Sequence, residues 1–183
     1  MQEPTAGKGT EEDPGSGIFC FIENEDRGWV SRQVRLITWN VNMALRKKWP
    51  ALLDLHPDVA ILQEVSKQDV LQRAEAIWVG NNPHKGLAVL GMNGFHVRVH
   101  PSHDPRVEFI VPIEVTGPAS FLLLAVWVMH NRAVRRVEES PNRWQMLQAL
   151  EIYEPLLQSG QCIVCGDFNS DRANPPLVKT DVH

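Results

Sequence analysis

The chain has little of what marks exported, membrane-bound or nucleic-acid-coating proteins. It contains three cysteines in 183 residues, which fits a reducing compartment. No apolar run is long enough to span a membrane, and the amino terminus lacks the basic region and long apolar core of a signal peptide. The formal charge of −4 gives no overall positive field, so any binding of a polyanion must be local. We therefore expect a cytoplasmic protein with no membrane partner.

What is present is the composition of one globular domain, with 43% apolar and 22% charged residues. The first 17 residues are rich in Gly, Pro, Glu and Thr, and such segments bury too little apolar surface to fold. We predict a disordered or poorly structured leader over residues 1–33 and a domain over 34–183. The short apolar run 18–22 leaves two alternatives open, an added edge strand or upstream sequence with little role.

The most informative stretch is 162–170, Cys-Ile-Val-Cys-Gly-Asp-Phe-Asn-Ser. Its apolar start predicts a buried strand, and Gly166 lets the backbone turn at the strand's carboxyl end, where open α/β sheets bind ligands. If the chain stays extended, Asp167 and Asn169 project to the same side. A carboxylate and a carboxamide placed this way suit a site that holds a cation or activates a water beside a phosphate. The alternative is that both residues only form a turn.

Two other predicted strands are also followed by carboxamide or carboxylate side chains. Residues 34–39 lead into Asn40-Val41-Asn42, and the apolar residues 59–62 lead into Gln63-Glu64. A lone carboxylate at the rim of a sheet is costly unless a cation or a hydrogen-bond donor neutralises it. We expect the three strand ends to converge on one edge of a sheet. Their oxygen ligands suit Mg²⁺ or Mn²⁺ rather than zinc.

Taken in order, Thr-Trp-Asn-Val-Asn at 38–42, Leu-Gln-Glu at 62–64 and Gly-Asp-Phe-Asn at 166–169 resemble the signatures of the endonuclease/exonuclease/phosphatase superfamily. The resemblance implies a DNase I-like two-sheet α/β sandwich and divalent-metal-dependent phosphoester hydrolysis of the nuclease or phosphatase type. It implies a phosphoester substrate, nucleic acid being one candidate, and indicates no obligate protein partner.

The resemblance also implies roles for single residues. Glu64 would bind the metal directly, and Asn42 would be an outer or occasional ligand. Asp167 would orient or deprotonate the attacking water, while Asn40 and Asn169 would hold Asp167 and the phosphate. Many nucleases of the family have aspartate at the position of Asn42, and the missing charge should weaken metal binding.

Three further residues are weaker candidates for contacts with the substrate. His130 and Asn131 follow the most apolar predicted strand, where the family often carries a residue that contacts the scissile phosphate. The resemblance makes His130 a catalytic candidate that would donate to a phosphate oxygen, and Asn131 a substrate-binding candidate. The alternative is that His130 only hydrogen-bonds a nearby carbonyl. Lys85 lies in a polar turn and could contact a phosphate, with a solvated turn lysine as the alternative.

The remaining periodicity predicts three helices and several strands. The helices are expected at about 48–55, 67–76 and 140–159, and the strands at 86–90, 95–99, 107–115 and 121–129. Cys162 and Cys165 form a C-x-x-C pair, but residues three apart in a strand face opposite sides of the sheet, so we expect both to pack in the core.

The family's final Ser-Asp-His motif does not follow the Gly-Asp-Phe-Asn stretch within the 183 residues. We therefore expect a sandwich that is incomplete at its carboxyl-terminal end, with an incomplete metal site. The leading hypothesis is a phosphoester hydrolase, and the incomplete metal site leaves open whether this chain is active. The alternative is a non-catalytic binding or interaction domain derived from the same fold.

Overall fold

The computed structural model describes residues 17–22, 32–128, 141–159 and 162–169. These residues form two β-sheets and three α-helices. The strands are β1 (Gly17–Ile22), β2 (Arg32–Asn40), β3 (Val59–Val65), β4 (Ala76–Asn82), β5 (Lys85–Gly91), β6 (His96–Val99), β7 (Ile110–Thr116), β8 (Phe121–Trp127) and β9 (Cys162–Asp167). The helices are α1 (Leu45–Asp54), α2 (Lys67–Leu71) and α3 (Pro141–Gln158), and Pro105–Val107 is a 3₁₀ turn.

The strand order is β1-β2-β3-β5-β4 in the first sheet and β6-β7-β8-β9 in the second. Within each sheet one neighbouring pair is parallel, β2 with β3 and β8 with β9, and the other pairs are antiparallel. In each parallel pair the two carboxyl ends therefore lie side by side.

The two sheets pack face to face, and helices cover their outer faces. Val59 and Ile61 of β3 lie in the apolar layer between the sheets, while Ala60 and Leu62 face the layer that contains α1 and α2. On the other side, α3 packs on the second sheet through Ala149 and other apolar residues. Strands buried on both faces explain the unbroken apolar runs of the sequence. The predicted two-sheet α/β sandwich is confirmed.

The leader contributes one strand to this sandwich. β1 pairs antiparallel with β2 from Gly17 opposite Ile37 to Ile22 opposite Arg32. Of the two alternatives for residues 18–22, the structure shows the edge strand. The expected boundary at residue 34 falls inside β2, which begins at Arg32.

Several predicted element bounds are wrong for local reasons. Helix α1 begins at Leu45, three residues early, with Pro50 inside it rather than in its first turn. Helix α2 begins as predicted, because the Ser66 hydroxyl accepts the Asp69 N–H at 3.2 Å, but it ends at Leu71. Residues 72–75 form a turn and a bend, and β4 begins at Ala76, the last residue of the predicted helix.

The second sheet differs from prediction mainly at β7. That strand begins at Ile110 because residues 105–107 form the 3₁₀ turn, whose start is capped by the Asp104 carboxylate accepting the Arg106 N–H at 2.9 Å. β8 ends at Trp127, and the predicted end at Met129 lies outside the described residues.

The C-x-x-C pair is split by the sheet, as predicted. Cys165 lies in the layer between the sheets, and Cys162 packs on the side of α3. Burial raises the pKa of the Cys162 thiol. A raised pKa leaves little reactive thiolate at neutral pH, so Cys162 acts as a packing residue here.

Across the described ranges, no helix combines the length and the apolar character needed to cross a membrane.

Candidate functional site

The ends of β2 and β9 meet across the gap between the two sheets. Asn40 is the last residue of β2, Asp167 is the last residue of β9, and the Asn40 Nδ2 donates to Asp167 Oδ2 at 3.1 Å. The predicted convergence of strand ends therefore occurs. The expectation of a single sheet edge is wrong, because β9 belongs to the second sheet.

Gly166 brings β9 close enough to its neighbour to place Asp167. Its φ is +151°, and a Cβ there would lie 1.9 Å from the Val126 carbonyl oxygen. Only glycine fits such a close backbone approach. One residue later the Asp167 carbonyl accepts the Val128 N–H at 2.9 Å, so the backbone of Asp167 is held on the end of β8.

Beyond Asp167 the backbone leaves the extended conformation. Asn169 has φ +45°, its N–H donates to Asp167 Oδ1 at 3.0 Å, and its Nδ2 donates to the Val128 carbonyl. The expectation that the two side chains share one face of an extended strand is therefore wrong. Asn169 holds Asp167 through its backbone amide, in a turn that aspartate favours.

The Asn40-Val41-Asn42 segment departs from the extended conformation in a similar way. Asn42 has φ +48° and an exposed side chain, and its N–H donates to Asn40 Oδ1 at 3.1 Å. Both ends of the Asn40 carboxamide are thus engaged, which determines its orientation, with oxygen toward the turn and nitrogen toward Asp167. Asn42 sits at the rim of the site and not beside Asn40 on one face.

A β-bulge directs Glu64 away from the regular alternation of β3. Gln63 pairs with Leu87 and Val65 pairs with Gly86, so Glu64 is the extra residue, and its φ is +56°. Bulges re-aim side chains next to active sites. The strand was expected to end in Gln63-Glu64, and it continues to Val65, whose apolar side chain is the signal in the sequence for the extra residue.

Gln63 and Trp78 stabilise this part of β3. The buried Gln63 donates to the Thr38 hydroxyl at 3.0 Å, which ties β3 to β2. The Trp78 indole Nε1 donates to the Val65 carbonyl at 3.0 Å, directly beside the bulge. Gln63 belongs to the Leu-Gln-Glu segment found in the sequence, whereas nothing in the local sequence indicates the role of Trp78.

Lys85 is part of the site through an ion pair. Its Nζ lies 3.1 Å from Glu64 Oε1, with side-chain exposures of 39% and 20%, and 5.7 Å from the centre of the Trp127 ring. The alternative of a lysine that is only solvated is wrong. The Trp127 contact was not foreseen, because it depends on how the two sheets face each other.

The donors at these strand ends fit a hard divalent cation. Glu64 and Asp167 supply carboxylate oxygens, and Asn42 adds an exposed carboxamide, the kinds of ligand that Mg²⁺ and Mn²⁺ accept together with water. Within the described ranges no group of three or more His, Cys, Asp or Glu side chains could hold a metal ion. Among the described residues, Glu64, Asp167 and the Asn42 carboxamide would hold a metal here together with water.

The other two predicted substrate contacts, His130 and Asn131, lie outside the described residues, and their roles stay predictions.

The sequence also matches the model of a known protein family. The model of the Endonuclease/Exonuclease/phosphatase family matches residues 37–180. The chain belongs to this family. The match spans all three motif segments, so the resemblance seen in the sequence is confirmed. A search of curated proteins finds no match.

Solved structures share the fold of this family member at low sequence identity. A functionally unknown conserved protein from Enterococcus faecalis V583 matches with TM-score 0.52 and 18% identity, over 74% of this chain and 67% of that one. D. rerio TDP2 complexed with a single-strand DNA product gives 0.51 and 17%, over 76% and 62%. The endonuclease domain of TRAS1, a telomere-specific non-LTR retrotransposon, gives 0.53 and 12%, over 76% and 62%.

At these identities the likeness establishes the DNase I-like fold. The chain spans less than two thirds of the length of the TDP2 and TRAS1 structures that it matches.

Proposed function

We propose that the chain is a divalent-metal-dependent phosphoester hydrolase, with Mg²⁺ or Mn²⁺ as cofactor and nucleic acid as the favoured substrate. The hydrogen bond between Asn40 and Asp167, beside the bulged Glu64, carries the proposal. It joins a candidate base to the sheet that presents the candidate metal ligand. The substrate class is supported by the fold neighbours, one solved with a single-strand DNA product and one named an endonuclease domain.

In this proposal Asp167 orients the attacking water or takes its proton. Its Oδ2 accepts from the Asn40 amide and its Oδ1 accepts from the Asn169 N–H. A carboxylate offers about four lone-pair sites, so acceptor capacity remains for a water. The two bonds hold the carboxylate still, and positioning of this kind lowers the barrier by avoiding reorganisation during the reaction.

Glu64 would hold the metal directly, and Asn42 would support it from the rim as an outer or occasional ligand. When bound, the metal would polarise the phosphoryl oxygen and stabilise the leaving oxygen. Lys85, His130 and Asn131 are proposed to contact the phosphate. Lys85 is the one of these three whose side chain the structure describes, and it already lies against Glu64.

The decisive experiment measures phosphodiesterase activity with Mg²⁺ or Mn²⁺ on single-stranded DNA, RNA and a small phosphodiester. Glu64→Ala and Asp167→Ala should each abolish most of the activity, because each removes a group that acts on the reacting atoms. Glu75→Ala is the matched control, since its carboxylate is exposed and pairs with His96 at 3.3 Å. Activity that survives both site changes would show that the hydrolysis occurs elsewhere.

A non-catalytic binding domain of the same fold is the second candidate. Asn42 favours it, because a carboxamide at this position supplies no charge to a metal. In that case the protein would bind oligonucleotides saturably, while neither Mg²⁺ nor Mn²⁺ would support turnover above the level of the double variant Glu64→Ala/Asp167→Ala.

A further inference from the structure

The carboxylate proposed to bind the metal already has a cationic partner from the chain itself. Lys85 Nζ lies 3.1 Å from Glu64 Oε1. The Glu64 side chain is only 20% exposed, so water screens the attraction between the two charges less than in a fully exposed ion pair.

Backbone contacts on both sides hold the two residues opposite each other. Glu64 is directed by the bulge in β3. Lys85 begins β5 opposite Asn82, and the turn between these two residues is tied to α2, because the Lys67 N–H donates to the Pro83 carbonyl at 2.9 Å. The position of Lys85 relative to Glu64 is therefore a property of the fold.

The groups around the Lys85 ammonium limit the positions that it can occupy. On one side it faces the ring of Trp127, which is 2% exposed, with 5.7 Å between Nζ and the ring centre. On the other side it faces Glu64. An ammonium removed from the carboxylate needs another anion or water, and it can turn toward solvent because the Lys85 side chain is 39% exposed.

We propose that Lys85 and the divalent cation are alternative partners of the Glu64 carboxylate, so that metal binding displaces the Lys85 ammonium toward the substrate phosphate. This inference rests on the proposed function, since it takes Glu64 as the metal ligand. A unit positive charge beside a bound divalent cation repels it. A phosphate that binds the displaced Lys85 ammonium removes this repulsion. Metal and phosphate therefore bind cooperatively, each increasing the affinity for the other by the same factor.

The test measures Mn²⁺ affinity, by calorimetry and by the electron paramagnetic resonance signal of free Mn²⁺, with and without inorganic phosphate. Lys85→Met should bind Mn²⁺ about 10-fold more tightly than the wild type, as expected from removing a charge a few ångströms from a divalent ion. Lys85→Arg keeps the charge and should stay near the wild-type affinity. Phosphate should tighten Mn²⁺ binding by the wild type and by Lys85→Arg, and should tighten it less in Lys85→Met, where only the direct contact between metal and phosphate remains.

Lys47→Met is the matched control, because it removes the same charge from an exposed position on α1. It should leave the Mn²⁺ affinity within about 2-fold, since exposed charges are screened by salt. Lys85→Gln repeats the measurement with a polar side chain, and circular dichroism spectra verify that each variant is folded.

The outcomes separate this inference from the proposed function. Tight Mn²⁺ binding that Glu64→Gln abolishes but Lys85→Met leaves unchanged or weakens would overturn the exchange and leave the proposed metal site in place. Absence of Mn²⁺ binding by the wild type and by every Lys85 variant would overturn the metal site, and the exchange with it. If Lys47→Met tightened Mn²⁺ binding as much as Lys85→Met does, the cause would be the overall charge of the protein, and the exchange would be overturned.

Discussion

Asn40 and Asp167 lie 127 positions apart in the chain, and the hydrogen bond between them joins the ends of the two sheets at the candidate site. The Asn40 carboxamide accepts from the turn on one side and donates to the carboxylate on the other. The Asn40 side chain thus connects β2, which leads into the Asn42 turn, to β9, which carries the candidate base Asp167.

Replacing Asn40 by alanine should reduce kcat by roughly 10- to 100-fold, since a hydrogen bond to a charged group contributes about 1.5–3 kcal/mol. Asn40→Asp should be worse, because it places a second carboxylate against Asp167. Steady-state hydrolysis with saturating Mn²⁺ measures both. Asn42→Ala is the comparison: it should raise the metal requirement more than it lowers kcat. Equal loss of kcat in the two alanine variants would argue against a positioning role for Asn40.

Gly166→Ala should unfold the protein or destabilise it by roughly 3 kcal/mol or more, because the new Cβ would overlap the Val126 carbonyl in a backbone conformation that disfavours side chains. Gly94→Ala provides the contrast. Its φ is +85°, but the nearest atom to the added Cβ is 3.9 Å away, so the cost should be about 1 kcal/mol from backbone strain alone. Urea unfolding of the two variants gives the difference, and similar costs would contradict the close approach at Gly166.

Trp78→Phe should lower stability by about 1 kcal/mol and weaken Mn²⁺ binding. The change keeps an aromatic ring but removes the N–H that satisfies the Val65 carbonyl beside the Glu64 bulge. Trp49→Phe is the control, because that indole contacts Arg73 on the helical face of the sheet. If both changes affect metal affinity alike, the indole hydrogen bond does not position Glu64.

The loop before the 3₁₀ turn should make stability depend on pH. His103 is partly buried, with Nδ1 3.3 Å from the hydroxyl of the buried Tyr153, and burial lowers the pKa of His103 while the Asp104 carboxylate partly opposes this. The pKa of Asp104 falls to about 2 and that of Tyr153 is raised, so neither titrates near neutrality.

For His103 the unfolded chain binds more protons than the folded protein below pH about 6.5. The stabilisation is therefore complete above that pH and is lost as the pH falls through it toward the lower pKa of the folded state. The melting temperature should drop between pH 7.5 and 5.5, and His103→Gln should reduce the drop. His96→Gln, at a side chain 65% exposed, should leave it intact. An unchanged pH profile in His103→Gln would exclude this histidine as the cause.

Metal ions should stabilise the protein only weakly. Glu64 and Asp167 are the two carboxylates at the described strand ends, so Mg²⁺ should bind in about the millimolar range. A ligand stabilises a fold only when its concentration exceeds the dissociation constant. We expect almost no change in melting temperature at low millimolar Mg²⁺, and a rise of a few degrees at most with Mn²⁺, which Glu64→Gln should remove. A large rise at micromolar Mg²⁺ would reveal a further ligand.

The fold and the strand ends of the site could be predicted because both follow from local chemistry. Apolar runs such as 59–62 and the polar residues after them indicate where buried strands stop. The exact directions of the side chains could not be predicted. The direction of the Glu64 side chain depends on the register between β3 and β5. The direction of the Asn169 side chain depends on a backbone that becomes left-handed only where β9 meets β8. Both directions depend on contacts with distant parts of the chain. The alternation of side chains along an ideal strand therefore does not predict where Glu64 and Asn169 point.

The order in which the strands dock determines when the candidate site is completed during folding. β2 and β3 are neighbours in sequence as well as in space, so the Asn40 and Glu64 side of the site depends on nearby contacts. Asp167 reaches Asn40 only when β9 docks beside β8, after the long crossover that includes α3. Loops of this length close slowly. A partly refolded molecule in which β9 has not docked would have only the Asn40 and Glu64 side of the candidate site, and we expect the contact between Asn40 and Asp167 to be the last part of this site to form during refolding.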